Sequence, residues 1–460
     1  MNRRQFFGTA AAGALASVAA RAQNSRSRPN VVLICADDLG YGDLGCYGSR
    51  IATPHIDQMA AEGVRFTQCN AASSVCSPAR AGLLTGRYAT RTGVPGVLSP
   101  GEDGGLASGE ITLAQMLKTV GYRTGLAGKW HLGDQSGTKP NDRGFDDFFG
   151  LLHSHDMWPR PLMANRQTVE ETTSLEALTG RLTSHATRFI RESGEQPFFL
   201  YLPHVAPHIP LVAARSFQKK SPLGPYGDVM AEFDWSIGEV LKTLRETGQD
   251  DNTIVMLTSD NGPWYQGSPG RLRGRKGESY EGGLRVPLIA RMPSRIPAGQ
   301  VNDGFVSALD VLPTIAALTG TPLPSKPLDG IDISARFAGD SGDLHREPFL
   351  YFDYWSLQCA RLGRWKVHFS RYNFRAWSPE PIGGRVNLPL PRPELYDLVD
   401  DPEEAYDCAE TNPAVITDIR ERVEKSLRSF PDVVQGVWQA TMSRSVEGST
   451  PAGALPVGKP

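Results

Sequence analysis

Two apolar runs in this chain stop at acids. Pro29-Asn30-Val31-Val32-Leu33-Ile34-Cys35-Ala36 ends in Asp37-Asp38-Leu39-Gly40, and Thr253-Ile254-Val255-Met256-Leu257-Thr258 ends in Ser259-Asp260-Asn261-Gly262. Continuous apolar runs of this length predict strands buried on both faces. In an open parallel sheet the carboxyl ends of the strands share one edge, where ligands bind. Asp37, Asp38, Asp260 and Asn261 then converge as four oxygen ligands without Cys or His among them. Such a set suits a hard cation, Ca²⁺ or Mg²⁺, rather than zinc. Taken singly, each pair also fits a turn or a helix cap; recurrence at two strand ends favours the metal.

Two further runs deliver titratable groups to the same kind of rim. Residues 122–128 lead into Lys129-Trp130-His131, and residues 198–202 lead into Pro203-His204 and then Pro207-His208. A third feature is Cys76-Ser77-Pro78-Ala79-Arg80. Pro78 suits the first turn of a helix and Gly86 its end. Cys76 then falls at the helix N-terminus, where free N–H groups and the dipole attract an anion. Arg80 lies one turn along and faces back toward it. These residue types allow either a low-pKa thiolate nucleophile or a small buried side chain.

The elements that must position these groups alternate. Leu113-Ala114-Gln115-Met116-Leu117-Lys118 has helical character, as does the 231–241 stretch, in which Phe233, Ile237, Val240 and Leu241 keep helical spacing. Strands alternating with helices predict an α/β fold, a large mostly parallel sheet flanked by helices. From about residue 341 the character changes. Residues 348–352 and 362–369 predict strands of a smaller antiparallel sheet. Pro413 opens a helix whose Ile416, Ile419, Val423 and Leu427 form one stripe. The chain thus divides into a catalytic domain over 28–340, a smaller C-terminal domain over 341–443 and a loose tail over 444–460.

Of the 460 residues, 40% are hydrophobic and 21% charged, which excludes a disordered, collagen-like or multi-span membrane chain. The formal net charge of −2 lacks the basic excess of a nucleic-acid binder. Residues 1–22 are set aside as an export signal. Arg3 and Arg4 precede a small, apolar, uncharged run from Gly8 to Ala20, and Ala20-Arg21-Ala22 offers a cleavage site. The run is too short to span a bilayer. It resembles a twin-arginine leader, with Asn2 before the arginines and Gly8 as departures, and implies export to the periplasm or beyond by that machinery. Removing Arg3, Arg4 and Arg21, and no acid, takes the formal charge from −2 to −5.

Cys-Ser-Pro-Ala-Arg at 76–80, followed by Ala-Gly-Leu-Leu-Thr-Gly-Arg at 81–87, resembles the signature of the sulfatase family. The resemblance covers most of the chain. It includes D-D-L-G (37–40), G-K-W-H-L-G (128–133), S-H-D (154–156), P-H (207–208), S-D-N-G (259–262) and G-R-K-G-E-S-Y-E-G-G-L-R-V-P (274–287). E-L-Y-D-L-V-D-D-P-E-E (394–404) resembles a string of the family's C-terminal region. The S-H-D and R-K-G elements look closest to the arylsulfatase A branch.

The resemblance implies an alkaline-phosphatase-like sheet with a smaller C-terminal α+β domain, and hydrolysis of aryl or carbohydrate sulfate esters. It implies that a formylglycine-generating enzyme oxidises Cys76 to Cα-formylglycine. Hydrated to a geminal diol, that residue attacks sulfur, is sulfated, and expels sulfate with its second hydroxyl. Asp37, Asp38, Asp260 and Asn261, with residue 76, would hold the cation, Ca²⁺ in preference to Mg²⁺. Asp260 also stands as an acceptor of the nucleophile's proton. Arg80 would hold the formylglycine loop, while Lys129 and Lys276 clamp sulfate oxygens. His131, supported by Ser154, would deprotonate the second hydroxyl; His208, with Lys276, would protonate the leaving alcohol. His153, His155 and His204 read as supporting or purely structural. Arg271, Arg273 and Arg275 attract a polyanionic glycan or are a solvated loop. Trp158, Trp264, Tyr265 and Trp355 stack on substrate rings or pack in the core.

Two alternatives share the superfamily: a formylglycine-dependent phosphonate monoester hydrolase or phosphodiesterase, and a non-catalytic sulfate-binding relative. Conversion of Cys76 also leaves five cysteines, an odd number, so at least one thiol stays free.

Overall fold

The computed structural model describes residues 28–340, 342, 344, 346–372 and 386–443. Residues 1–22, read as the export signal, and the 444–460 tail lie outside the described residues. Eleven strands form the large sheet: β1 (Asn30–Ala36), β2 (Val64–Asn70), β3 (Arg123–Lys129), β4 (Asp147–Leu151), β5 (Leu162–Ala164), β6 (Gln167–Glu170), β7 (Phe198–Pro203), β8 (Thr253–Ser259), β9 (Arg285–Arg291), β10 (Gln300–Asn302) and β11 (Val306–Ser307). Their order is β10-β2-β9-β8-β1-β7-β3-β4-β5-β6, with β11 also on β2. The central strands β8-β1-β7-β3-β4 are all parallel. Antiparallel pairing begins only at β9 on one side and at β5 on the other.

Four helices of the large sheet's territory matter to the site: α1 (Cys76–Thr85), α2 (Leu113–Lys118), α3 (Leu175–Ser193) and α4 (Gly224–Glu246). Side chains alternate across the pleat, so each central strand feeds two cores. Val32, Ile34, Leu200, Leu202, Val255 and Leu257 pack under Phe189 and Ile190 of α3 and Phe233, Ile237 and Val240 of α4. Val31, Leu33, Phe199, Tyr201, Ile254 and Met256 join Leu83 and Leu84 of α1 and Leu113, Met116 and Leu117 of α2. This is why the strands read as unbroken apolar runs. Each fully buried Leu, Ile or Phe contributes about 1.5–3 kcal/mol of transfer free energy. α2 starts on a reciprocal cap, Gln115 N donating to Thr112 Oγ1 at 3.1 Å and Thr112 N to Gln115 Oε1 at 3.0 Å.

The second sheet is antiparallel: β12 (Phe349–Asp353), β13 (Ser356–Leu362), β14 (Trp365–Tyr372) and β15 (Asn387–Asp397). The single strand expected over 362–369 is two. Leu362 closes β13 and pairs with Trp365 of β14, leaving Gly363-Arg364 as the turn. Gly363 takes φ +58°, the left-handed conformation that tight hairpin turns require. α5 (Pro413–Leu427) buries Ile419, Val423 and Leu427 as expected, with Ile416 half-buried. α6 (Asp432–Met442) follows it and buries Val434 and Trp438. Phe349, Leu350, Cys359 and Val367 share one core with the large sheet. All six cysteines are unpaired. No described helix is long and apolar enough to cross a membrane.

Candidate active site

β1 and β8 are paired in register, with Ala36 opposite Ser259. Asp37-Asp38 and Asp260-Asn261 therefore leave the sheet side by side, tied by Asp260 N to Ala36 O at 3.1 Å and Asp38 N to Asp260 Oδ1 at 3.1 Å. Asp38 and His131 both take positive φ, 64° and 62°. Such strain in non-glycine residues clusters where a side chain must be aimed. The end of β3 turns in a tight space: a Cβ on Gly128 (φ +143°) would sit 1.9 Å from Pro203 O. Glycine there lets Lys129 approach the ends of β7 and β1.

α1 begins at Cys76, with Val75 as an N-cap that supplies no side-chain bond, and ends on Gly86 at φ +66°. Cys76 Sγ lies 3.5 Å from Asp37 Oδ1 and 4.0 Å from Asp38 Oδ1. Burial pushes its thiol well above the ordinary range, against the pull of Lys129 and Lys276. Burial thus opposes ionisation of the free thiol, which weakens the reading of an unassisted low-pKa thiolate nucleophile.

Around it, cations and acids pair one to one. Lys129 Nζ meets Asp37 Oδ2 at 2.7 Å, and Lys276 Nζ lies 2.8 and 2.9 Å from the two oxygens of Asp38. Arg80 donates Nε and Nη2 to Asp260 Oδ2 at 2.9 and 2.7 Å and Nη1 to Lys129 O at 3.0 Å. All six side chains are buried. Burial disfavours the charged form of Asp37, yet Lys129, His208, Arg80 and Lys276 together hold its carboxyl well below the usual range. Three carboxylates balance three cations, so a divalent ion would bring the cluster to a formal +2, matched to an anionic ester.

Among the described residues, one atom each from Asp37, Asp38, Cys76 and His208 falls within 4.8 Å of the others, a grouping that can hold a metal ion. Asn261 donates Nδ2 to Asp38 Oδ1 at 2.8 Å, while its Oδ1 is buried without a hydrogen-bond partner. A buried carbonyl oxygen left over beside two carboxylates fits a hard cation. Asp260 is committed mainly to Arg80 and to two backbone N–H groups.

The other expected groups border this cluster. His208 Nε2 is 3.5 Å from Asp38 Oδ2. His131 anchors Nε2 on Leu98 O at 2.9 Å and keeps a buried Nδ1 without a partner; burial and Lys129 hold it well below the ordinary imidazole value, hence neutral. Ser154 is buried beside His155, whose ring meets that of His208 edge-on at 5.5 Å. His153 leans on Asp134 at 3.1 Å and His204 on Ser236 at 3.0 Å, the latter far into the α4 core against Phe233. The loop bearing Lys276 is pinned by Gly277 N to Ser74 O at 2.8 Å.

Sequence reasoning missed one arrangement. Glu281, from the 274–287 string, and Glu404, from the 394–404 string, meet at Lys366 Nζ, 3.0 and 3.2 Å away, and His368 Nε2 reaches Glu404 at 2.7 Å. Glu281 also takes Arg285 at 2.7 Å. The wholly apolar neighbours of Lys366 and its place in a strand were the available signal, but the chain distance hid its partners.

A large, mostly parallel sheet carrying this acid-and-lysine edge, with a second antiparallel sheet, is the alkaline-phosphatase-like α/β fold. Residues 29–321 match the sulfatase family model and residues 344–450 the C-terminal region of aryl-sulfatase. Human arylsulfatase A is 38% identical over 420 residues, covering 82% of this chain and 83% of that protein. A structure from the metabolism of multiple glycosaminoglycans by Bacteroides thetaiotaomicron aligns with TM-score 0.80 and 29% identity, over 87% of this chain and 99% of its own. Ps i-CgsB in complex with k-i-k-neocarrahexaose aligns with TM-score 0.76 and 29% identity, over 90% and 98%. The chain belongs to the sulfatase family and is a sulfuric ester hydrolase.

Proposed function

We propose that this enzyme hydrolyses carbohydrate sulfates in preference to aryl sulfates, through a Cys76 oxidised to Cα-formylglycine. The observation that carries this reading is Cys76 itself: buried at a helix N-terminus, 3.5 Å from Asp37, with Lys129 and Lys276 on the two neighbouring acids. The carbohydrate preference draws support from the two sulfatase-fold neighbours whose names concern glycosaminoglycans and a neocarrahexaose.

Asp37, Asp38, Asp260 and Asn261, alongside residue 76, would hold a divalent cation, Ca²⁺ in preference to Mg²⁺. Bound there, the ion supplies positive charge to the sulfate oxygens. Hydrated formylglycine supplies two hydroxyls on one carbon, one to accept the sulfuryl group and one to release it. The chain's own residues do the rest. Lys129 and Lys276 bring ammonium groups to the sulfate oxygens and offset charge on the departing one. Arg80 fixes α1 against Asp260. His131, neutral and with Nδ1 free, takes the proton of the second hydroxyl, with Ser154 in support. His208 Nε2 gives a proton to the leaving alcohol, with Lys276 in reserve. The net change is ester plus water to alcohol plus sulfate and a proton.

The same proposal includes a catalytic domain over 28–340 and a smaller domain over 341–443. It also includes maturation by a formylglycine-generating enzyme and twin-arginine export to the periplasm or medium on residues 1–22. Mass spectrometry of the residue-76 peptide, on protein from the native host, tests the core of it, with parallel assays on aryl sulfate and phosphonate esters. Formylglycine and faster sulfate release are expected. An unmodified thiol, or faster phosphonate turnover, overturns the reading.

A further inference from the structure

Between the loop that carries Lys276 and the strands β13 and β14 lies a cavity of about 540 Å³. Arg273, Arg275 and Tyr280 line it from the loop, and Gln358 and Arg371 line it from the second sheet. Lys276, whose Nζ holds Asp38, belongs to the same lining and is the link between the cavity and the acid cluster.

The lining is rich in cations. Four cations, Arg273, Arg275, Lys276 and Arg371, line it with one carboxylate, Glu278; Lys276 and Arg371 are paired with Asp38 and Glu394, which leaves the excess on Arg273 and Arg275. Arg275 gives Nη1 to the carbonyls of Trp264 and Gly267 at 2.8 and 2.7 Å, and Arg273 gives Nη1 to Glu404 O at 2.9 Å. Backbone carbonyls orient a guanidinium without neutralising it. The ring of Tyr280 lies 4.1 Å from the guanidinium of Arg273 and 5.5 Å from that of Arg371, which also pairs with Glu394. Tyr280 Oη and Arg371 Nε are each buried without a hydrogen-bond partner in the protein. The floor is already set: Ser279 Oγ donates to Gln358 Oε1, Gln358 Nε2 to Asn387 Oδ1 at 3.0 Å, and Asn387 Nδ2 to Ser370 Oγ at 3.0 Å. Arg271 lies apart, its side chain 89% exposed and paired with Glu403 at 2.8 Å.

A preorganised polar floor, an aromatic face and an excess of guanidinium suit an anionic sugar better than a plain aryl or steroid group. We propose that the cavity receives the saccharide that bears the sulfate ester. That saccharide carries a second anionic group, sulfate or carboxylate, held by Arg273 and Arg371 at Tyr280. The inference rests on the sulfatase reading above and narrows its substrate class.

The test compares kcat/KM on 4-nitrophenyl sulfate, a disulfated disaccharide and a monosulfated disaccharide with one uronate. Its variants are Arg273→Gln, Arg371→Gln, Arg371→Lys and Arg271→Gln. Arg273→Gln and Arg371→Gln should each lower the saccharide-to-aryl ratio about tenfold, mainly through KM, as loss of one charge-assisted contact predicts. Arg371→Lys should recover part of that loss, and Arg271→Gln should leave the ratio within about twofold, as an exposed rim pair contributes little. The saccharide that suffers identifies the second group as sulfate or carboxylate. The proposal is overturned if the ratio survives both Gln variants, or if Arg271→Gln lowers it equally, which would make the field diffuse. It also fails if the aryl and saccharide rates fall together, since the guanidiniums would then serve only the fold. Wild-type protein inactive on all three esters would instead remove the sulfatase reading itself.

Discussion

Arg80 and Asp260 meet through two hydrogen bonds to a single oxygen, Nε and Nη2 both donating to Oδ2 at 2.9 and 2.7 Å, with neither side chain exposed. The pair fastens the helix that begins at Cys76 to the end of β8, and Arg80 carries on to Lys129 O at the end of β3. One guanidinium thus fixes three elements of the rim.

Asp260→Asn should lower the unfolding free energy by about 3–5 kcal/mol, because it strands a buried guanidinium. Arg80 would keep only Asp37, at 3.6 Å, as a carboxylate partner. Urea unfolding measures this, and the double variant Arg80→Met/Asp260→Leu should regain part of the loss. A cost below about 1 kcal/mol would place the pair among weak contacts.

Chelation tests the oxygen set. Dialysis against EGTA should abolish turnover and lower the melting temperature; Ca²⁺ at about one hundred times its Kd should restore about 2.7 kcal/mol of stability. Mg²⁺ should restore less, since Asp37, Asp38 and Asn261 are offered with few sites left for water. Full activity in EGTA would refute the metal.

His208→Asn should act through the leaving group. A poor leaving group such as a sugar hydroxyl needs the proton, so its kcat should fall about 10²–10³-fold, whereas 4-nitrophenol leaves unaided and should lose much less. The measurement is log kcat against leaving-group pKa, expected to steepen in the variant. An unchanged slope would remove His208 from proton transfer.

The Glu281–Lys366–Glu404 cluster predicts a pH dependence. Burial opposes ionisation of both acids, yet Lys366, with Arg285 and Arg361 for Glu281 and His368 for Glu404, holds them below the ordinary value of 4.5. Carboxyls depressed in the folded state stabilise it above their unfolded pKa, and that contribution is lost as pH falls through the folded pKa. Stability should therefore decline on acidification below about pH 4.5. Lys366→Met should cost about 3–5 kcal/mol at pH 7 and flatten the acid decline, because its carboxyls no longer gain from ionisation. Urea midpoints across pH 3–7 decide; parallel curves for variant and wild type would disprove the coupling.

Much of this was legible in the chain. Residues 30–36 and 253–259 announce doubly buried strands because both faces of the pleat meet helices, leaving no polar alternation. Pro78 and Gly86 bracket α1 because each suits one helix end. The hairpin at Gly363-Arg364 was hidden because apolar residues continue on both sides of the turn. Arg271, Arg273 and Arg275 look alike in sequence, yet one is paired at the surface and two line a cavity. Trp355 packs against the core, Trp158 is exposed, and Trp264 and Tyr265 border the cavity.

The sequence by itself determined the central strands β1, β3, β7 and β8 and the helices α1, α2 and α5, and that acids, lysines and histidines stand where those strands end. Those follow from local periodicity and capping, which act over a few residues. Only the tertiary structure decided the partnerships: Lys129 with Asp37, Lys276 with an Asp38 that lies 238 residues away, and Arg80 with Asp260. It also decided that Asn261 keeps a bare buried oxygen and that Cys76 is buried 3.5 Å from Asp37. Strand order and register set these, because burial and Coulomb pairing depend on distance in space, and spacing along the chain does not encode it.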